Sequence, residues 1–157
     1  MKTSTLASSI DLSAAVPRKS VTRFFPSVAR YLMGIPLTIF GLNGFFNFIP
    51  QPEVVMPEKA LTFVMALAGS GYMMQLIGAT LLVTGVLLVL NRFVPLALVL
   101  LAPFLVNSLA FHAFLESSGL PTAVVFVALE LYLAWTYRAA YRPLFVARTQ
   151  ASLPAAL

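Results

Sequence analysis

The stretch FVPLALVLLAPFLVNSLAFHAFL, residues 93–115, carries no Asp, Glu, Lys or Arg. A bilayer core of about 30 Å is crossed by roughly 20 apolar residues in a helix, and this segment would reach about 35 Å. A similar run extends from Val28 to Ile49, and another from Leu120 to Tyr137. Between them, Pro57 to Leu90 has no charge after Lys59. As one helix it would be about 51 Å long, too much for a single crossing. The sequence AGSG at 68–71 is the natural break, and Pro57 suits a helix start. PEKALTFVMALA therefore reads as a short interfacial helix, and Gly71 to Leu90 as a crossing of its own. The expected fold is all-α: an integral membrane four-helix bundle with a short extra interfacial helix between crossings one and two.

Composition agrees. Apolar residues make up 60% of the 157 and charged residues 10%, against roughly 45–50% and 25% in soluble domains. The chain has no cysteine and one histidine. Disulfides, thiolate chemistry and iron–sulfur sites are thereby excluded, and a histidine-based metal or haem site is disfavoured. No self-contained catalytic or redox-cofactor site is visible.

The charges set an orientation. Arg18, Lys19, Arg23 and Arg30 precede crossing one, Arg92 lies in the turn between crossings two and three, and Arg138, Arg142 and Arg148 follow crossing four. The other side carries Lys59 among Glu53, Glu58 and Glu116. Basic residues in short loops mark the cytoplasmic side, which gives an N-in, C-in chain in the inner (plasma) membrane. The net charge of +5 is thus spread over three flanks as a topology signal. It forms no basic stripe for nucleic acid. Residues 1–27 read as a mobile cytoplasmic tail, since LASSIDLSAAV is too interrupted by polar residues for a signal peptide. Residues 28–145 form the membrane domain, and residues 146–157 a second cytoplasmic tail.

Lipid is as apolar as leucine, so helix association rests on small residues that let backbones approach. Gly71, Gly78 and Gly85 recur every seven residues, with Gln75 and Leu82 between them. This spacing predicts one packing stripe with Gln75 on it, facing the bundle interior. Gly34, Gly41 and Gly44 predict the matching face of crossing one.

Polar groups at membrane depth are the candidate site: Asn43, Asn47, Gln75, Asn107, His112 and Glu130. Helix rise places Asn43, Gln75 and Asn107 each about 21–23 Å above the cytoplasmic ends, with Asn47 and His112 about a turn higher. Glu130 lies deeper, about 12 Å from the inner end of its helix. An ionisable residue at mid-helix costs ~2.5–3.5 kcal/mol on insertion scales. The aliphatic and aromatic neighbours in that helix return roughly 2–4 kcal/mol. Crossing four is therefore marginal alone and must turn Glu130 inward. Single amides act in membranes as glue between helices more often than as ligand groups. Tyr132, Trp135, Tyr137 and Tyr141 read as an interfacial belt. Ser108 can bond to its own helix and receives no special role.

FGLNGFFNFIPQP (40–52), the segment 92–115 and ALELYLAWTYRAAYRPLF (128–145) resemble the DoxX-like family of small four-helix membrane proteins. The resemblance covers about Arg30 to Phe145. It implies a bundle similar to the quinone-linked DoxD subunit of thiosulfate oxidation, with Asn43, Asn107, His112 and Glu130 at the family's polar positions. The chain departs from that pattern at Asn47, where many relatives carry His. It also departs at LIGATLLVTG in crossing two, which lacks the acidic residue found in many of them.

Two functions fit this sequence. One is a redox-linked membrane subunit of a larger complex, binding a quinone or similar amphipathic molecule in the outer half of the bundle. In it Asn43, Gln75 and Asn107 would hold polar oxygens and Glu130 would carry a proton, with electrons supplied by a partner protein. The other is a non-catalytic accessory or scaffold subunit whose polar residues only fix packing. A permease is disfavoured, because no inverted repeat or gating pair is visible.

Overall fold

A computed structural model describes residues 24–50 and 56–147. They form five α-helices: α1 (Phe25–Phe46), α2 (Glu58–Gly69), α3 (Met73–Val89), α4 (Val94–Phe114) and α5 (Leu120–Thr136). A 3₁₀ helix follows at Arg138–Phe145, and the described residues contain no strand. Arg18, Lys19, Arg23, Glu53 and Arg148, with most of both expected tails, lie outside the described residues.

The helices pack in a ring, with α1 against α3, α3 against α4, α4 against α5, and α5 back against α1. Met33, Leu88, Leu101 and Leu133 are fully buried at its centre. The outside is equally apolar: Leu32, Ile35, Val99, Leu100, Val125 and Leu131 are all exposed. Such a surface fits a protein solvated by lipid. Helices α1 and α4 are each long and apolar enough to cross a membrane. Two bent pairs pass the same test jointly: α2 with α3, at 89°, and α5 with the 3₁₀ helix, at 76°. The candidate spans therefore number two to four.

Helix ends follow local chemistry. Pro26 sits in the first turn of α1, where its missing N–H costs nothing, so α1 begins before Val28. Asn47 adopts the left-handed conformation (φ 47°) and stops α1 before Ile49. Gly71 (φ +79°) makes the corner between α2 and α3. The α3–α4 turn is a Schellman motif: Asn91 (φ 55°) donates to the Leu88 carbonyl at 3.2 Å and Arg92 to that of Leu87 at 3.0 Å.

The α1–α3 seam is built from glycine. A Cβ on Gly41 would collide with the Leu82 backbone, and one on Gly85 would lie 2.6 Å from the Thr38 backbone nitrogen. Gly44 and Gly78 face each other, a Cβ on Gly44 reaching 3.0 Å from the Gly78 Cα. The expected stripe is corrected at its outer end. Gly71 precedes α3, a Cβ added to it would meet nothing within 4 Å, and Gln75 is exposed. Gly44 meets Gly78 close to the end of α1, so the first turn of α3 has little of α1 left to pack against.

Arg30 departs from its expected role as a flanking topology charge. It lies within α1 and is 5% exposed. Its Nη1 donates to the Leu88 carbonyl at 3.2 Å and its Nη2 to Ser27 Oγ at 3.1 Å. Leu88 is in the last turn of α3, where carbonyls lack intrahelical donors and the helix dipole favours a cation.

Candidate functional site

The buried face of α4 runs through Val94, Ala97, Leu98, Leu101 and Leu105. Continuing at helical spacing brings Ser108 and His112 onto the same side. Both line a cavity of about 330 Å³ with Leu37 and Phe40 of α1, Leu81 of α3, and Ala123 and Phe126 of α5. Its walls are apolar apart from Ser108, His112 and Thr122. The cavity lies toward the end of the bundle at which α4 finishes and α5 begins.

His112 is fixed from behind. Its Nδ1 is 3.0 Å from the Glu116 carbonyl oxygen and 3.1 Å from the Glu116 Oε2. Both partners are acceptors, so Nδ1 carries the hydrogen and donates. The Nε2 is left as a lone pair in the neutral ring and as a donor in the protonated ring. No protein group bonds to it among the described residues. The Phe111 ring meets the imidazole edge-on at 5.2 Å, and Phe63 of α2 packs on Phe111 at 5.7 Å.

The Glu116 carboxylate also accepts the backbone N–H of Ser118 at 2.7 Å and of Gly119 at 3.2 Å. Hydrogen bonding from Ser118, then from Gly119 and His112, lowers its pKa from 4.5 to about 2. Glu116 lies in the loop beyond α4, clear of the apolar spans. It therefore remains an anion behind the imidazole throughout the neutral range.

The six candidate polar residues do not form one site. Asn43 Oδ1 accepts the Ile49 N–H at 2.7 Å, which spends that amide on the end of α1. Asn47 is the left-handed stop and is exposed. Gln75 and Asn107 are exposed as well. Asn107 lies about 200° around the helix from Leu105, on the outer face. The expected layer of three inward amides is therefore not assembled. Helix rise fixes depth along each helix but not the angle around it. Ser108, given no role from sequence, is the residue of that segment that lines the cavity.

Glu130 is buried, at 8% exposure. It does not line the His112 cavity but a neighbouring groove of about 310 Å³ between α4 and α5. Leu105 is the wall common to both. Glu116 and Gly119 were missed from sequence. Their signal was present: an acid four residues after His112, the spacing at which side chains meet, then a glycine before the next helix. Compared with family models, curated proteins and solved structures, the chain matches none.

Proposed function

We propose that the protein is a redox-linked subunit of a larger membrane complex, binding a quinone or a similar small amphipathic molecule in the cavity headed by His112. In this reading α1, α3, α4 and α5 all cross the inner membrane. Both termini face the cytoplasm, and α2 lies at the outer surface. The 89° corner between α2 and α3 supports that last placement, and the DoxX-like resemblance supports the whole arrangement.

One observation carries the proposal. An apolar cavity of about 330 Å³ is faced by a single imidazole whose orientation is set by a carboxylate. That volume lies at the lower end of the range for small-molecule sites. Phe40, Phe104 and Phe126 offer aromatic walls to a planar ring. A neutral His112 Nε2 accepts the O–H of a quinol, and the protonated ring donates to a quinone carbonyl. Glu116 stabilises the imidazolium in either direction of proton movement. Electrons pass to or from the partner protein.

A second reading, an accessory subunit that binds no small molecule, is favoured by Asn107. An amide on the outer face of an apolar helix satisfies itself best against another protein helix. Purification under mild conditions, followed by solvent extraction, separates the two. A quinone present in the wild type and lost in His112→Ala supports the first. A stoichiometric partner with no extractable small molecule supports the second.

A further inference from the structure

The Glu130 groove has no part in the His112 chemistry, and it holds an unsatisfied group. Glu130 is more than nine-tenths buried, and its Oε1 has no hydrogen-bond partner. No Lys, Arg or His is among the residues that line the groove. Helix α4 presents six aliphatic side chains to it, from Leu98 to Leu109, and α5 adds Val127, Leu131 and Ala134. Tyr141 is the other titratable group, and its hydroxyl donates to the Pro95 carbonyl at 3.3 Å. Leu129 and Tyr132 of α5 share a separate cavity with Phe25, Val28, Ala29 and Leu32 of α1, and the Arg30 guanidinium donates to Leu88 and Ser27. The one ion pair among the described residues is His112 with Glu116.

A lone carboxylate in apolar surroundings is compensated either by a proton or by a cation that tolerates the same surroundings. We infer that the groove between α4 and α5 is a second site, taking a lipid-soluble cation in exchange for the proton on Glu130. The exchange balances: the carboxylic acid gives up one proton to the medium and the carboxylate then faces one monovalent cation. Charge complementarity selects the occupant, apolar walls match its hydrocarbon surface, and the Tyr141 ring offers an aromatic face to the charge. A volume of about 310 Å³ admits a small molecule.

The test uses the full chain in lipid nanodiscs with tetraphenylphosphonium as probe and neutral triphenylphosphine oxide as control. Wild type should bind the cation saturably at one site and release about one proton per cation bound. Affinity should fall about tenfold per pH unit wherever Glu130 is protonated. Glu130→Gln should abolish saturable binding. Ala102→Leu, which fills the groove and leaves the carboxyl in place, should weaken it at least tenfold. His112→Ala should leave it unchanged, which distinguishes this site from the quinone cavity. Cation binding without proton release, equal binding by Glu130→Gln, equal binding of the neutral control, or no saturable binding by wild type would each overturn the inference.

Discussion

The imidazole of His112 occupies the space that a side chain at Gly119 would need. A Cβ at position 119 would lie 2.7 Å from Nε2 and closer still to Nδ1 and Cε1. The loop closes on the ring, and Glu116 then binds both the ring and the amides of Ser118 and Gly119 just before α5. Gly119→Ala should therefore expel the imidazole and cost about 1–3 kcal/mol of stability, as overpacking does. Gly69→Ala, with nothing within 4 Å, should be neutral or slightly stabilising. Thermal unfolding of both variants in detergent measures the difference.

The Glu116 carboxylate gives this end of the bundle a defined pH response. Its folded-state pKa is lowered from 4.5 to about 2. A lowered pKa means that the contribution is complete above the unfolded value and is lost as pH falls through the folded value. The stability difference between wild type and Glu116→Gln should hold steady from neutral pH down to the unfolded-state value. It should then shrink steadily toward pH 2. A difference that does not change with acidification would show that the carboxylate is not held by these bonds.

Arg30 ties α1 to the last turn of α3. Replacing it with Met removes a charged donor from the Leu88 carbonyl and should cost about 1.5–3 kcal/mol. Arg30→Lys keeps the charge but not both hydrogen bonds, and should recover part of that loss. Chemical unfolding of the three proteins in mixed micelles ranks them.

The glycine seam should be graded by what each added methyl would meet. Gly41→Ala drives a methyl into the Leu82 backbone, whereas Gly78→Ala meets its nearest neighbour at 3.3 Å. The first should cost about 1–3 kcal/mol or more, and the second distinctly less. Equal thermal shifts would contradict the close approach at Gly41.

The helices were largely legible in the sequence because each has a local cause. The apolar runs, the break at AGSG and the starts near Pro57 and Leu120 all mark elements of the structure. The site was less legible, for a geometric reason. Depth along a helix follows from counting, but the side of the helix depends on which stripe packs. On α4 that stripe takes in Leu101, Leu105, Ser108 and His112, and it leaves Asn107 outside. Asn43 and Asn47 misled for another reason. Their position at membrane depth suggested ligand groups, yet one bonds to Ile49 and the other ends α1. Arg30 looked like a flanking charge because nothing local reveals that a helix 58 residues away ends beside it.

Photolabelling tests the central claim most directly. A short-chain quinone carrying a photoreactive group would be cross-linked to the protein in its native membrane and the adducts mapped by mass spectrometry. The account predicts adducts on the cavity walls at Phe40, Phe104 and Phe126, displaced by excess unlabelled quinone and at least tenfold weaker in Ala123→Phe, where the cavity is filled. Adducts confined to outward residues such as Val99 or Val125, or labelling indifferent to Ala123→Phe, would contradict it.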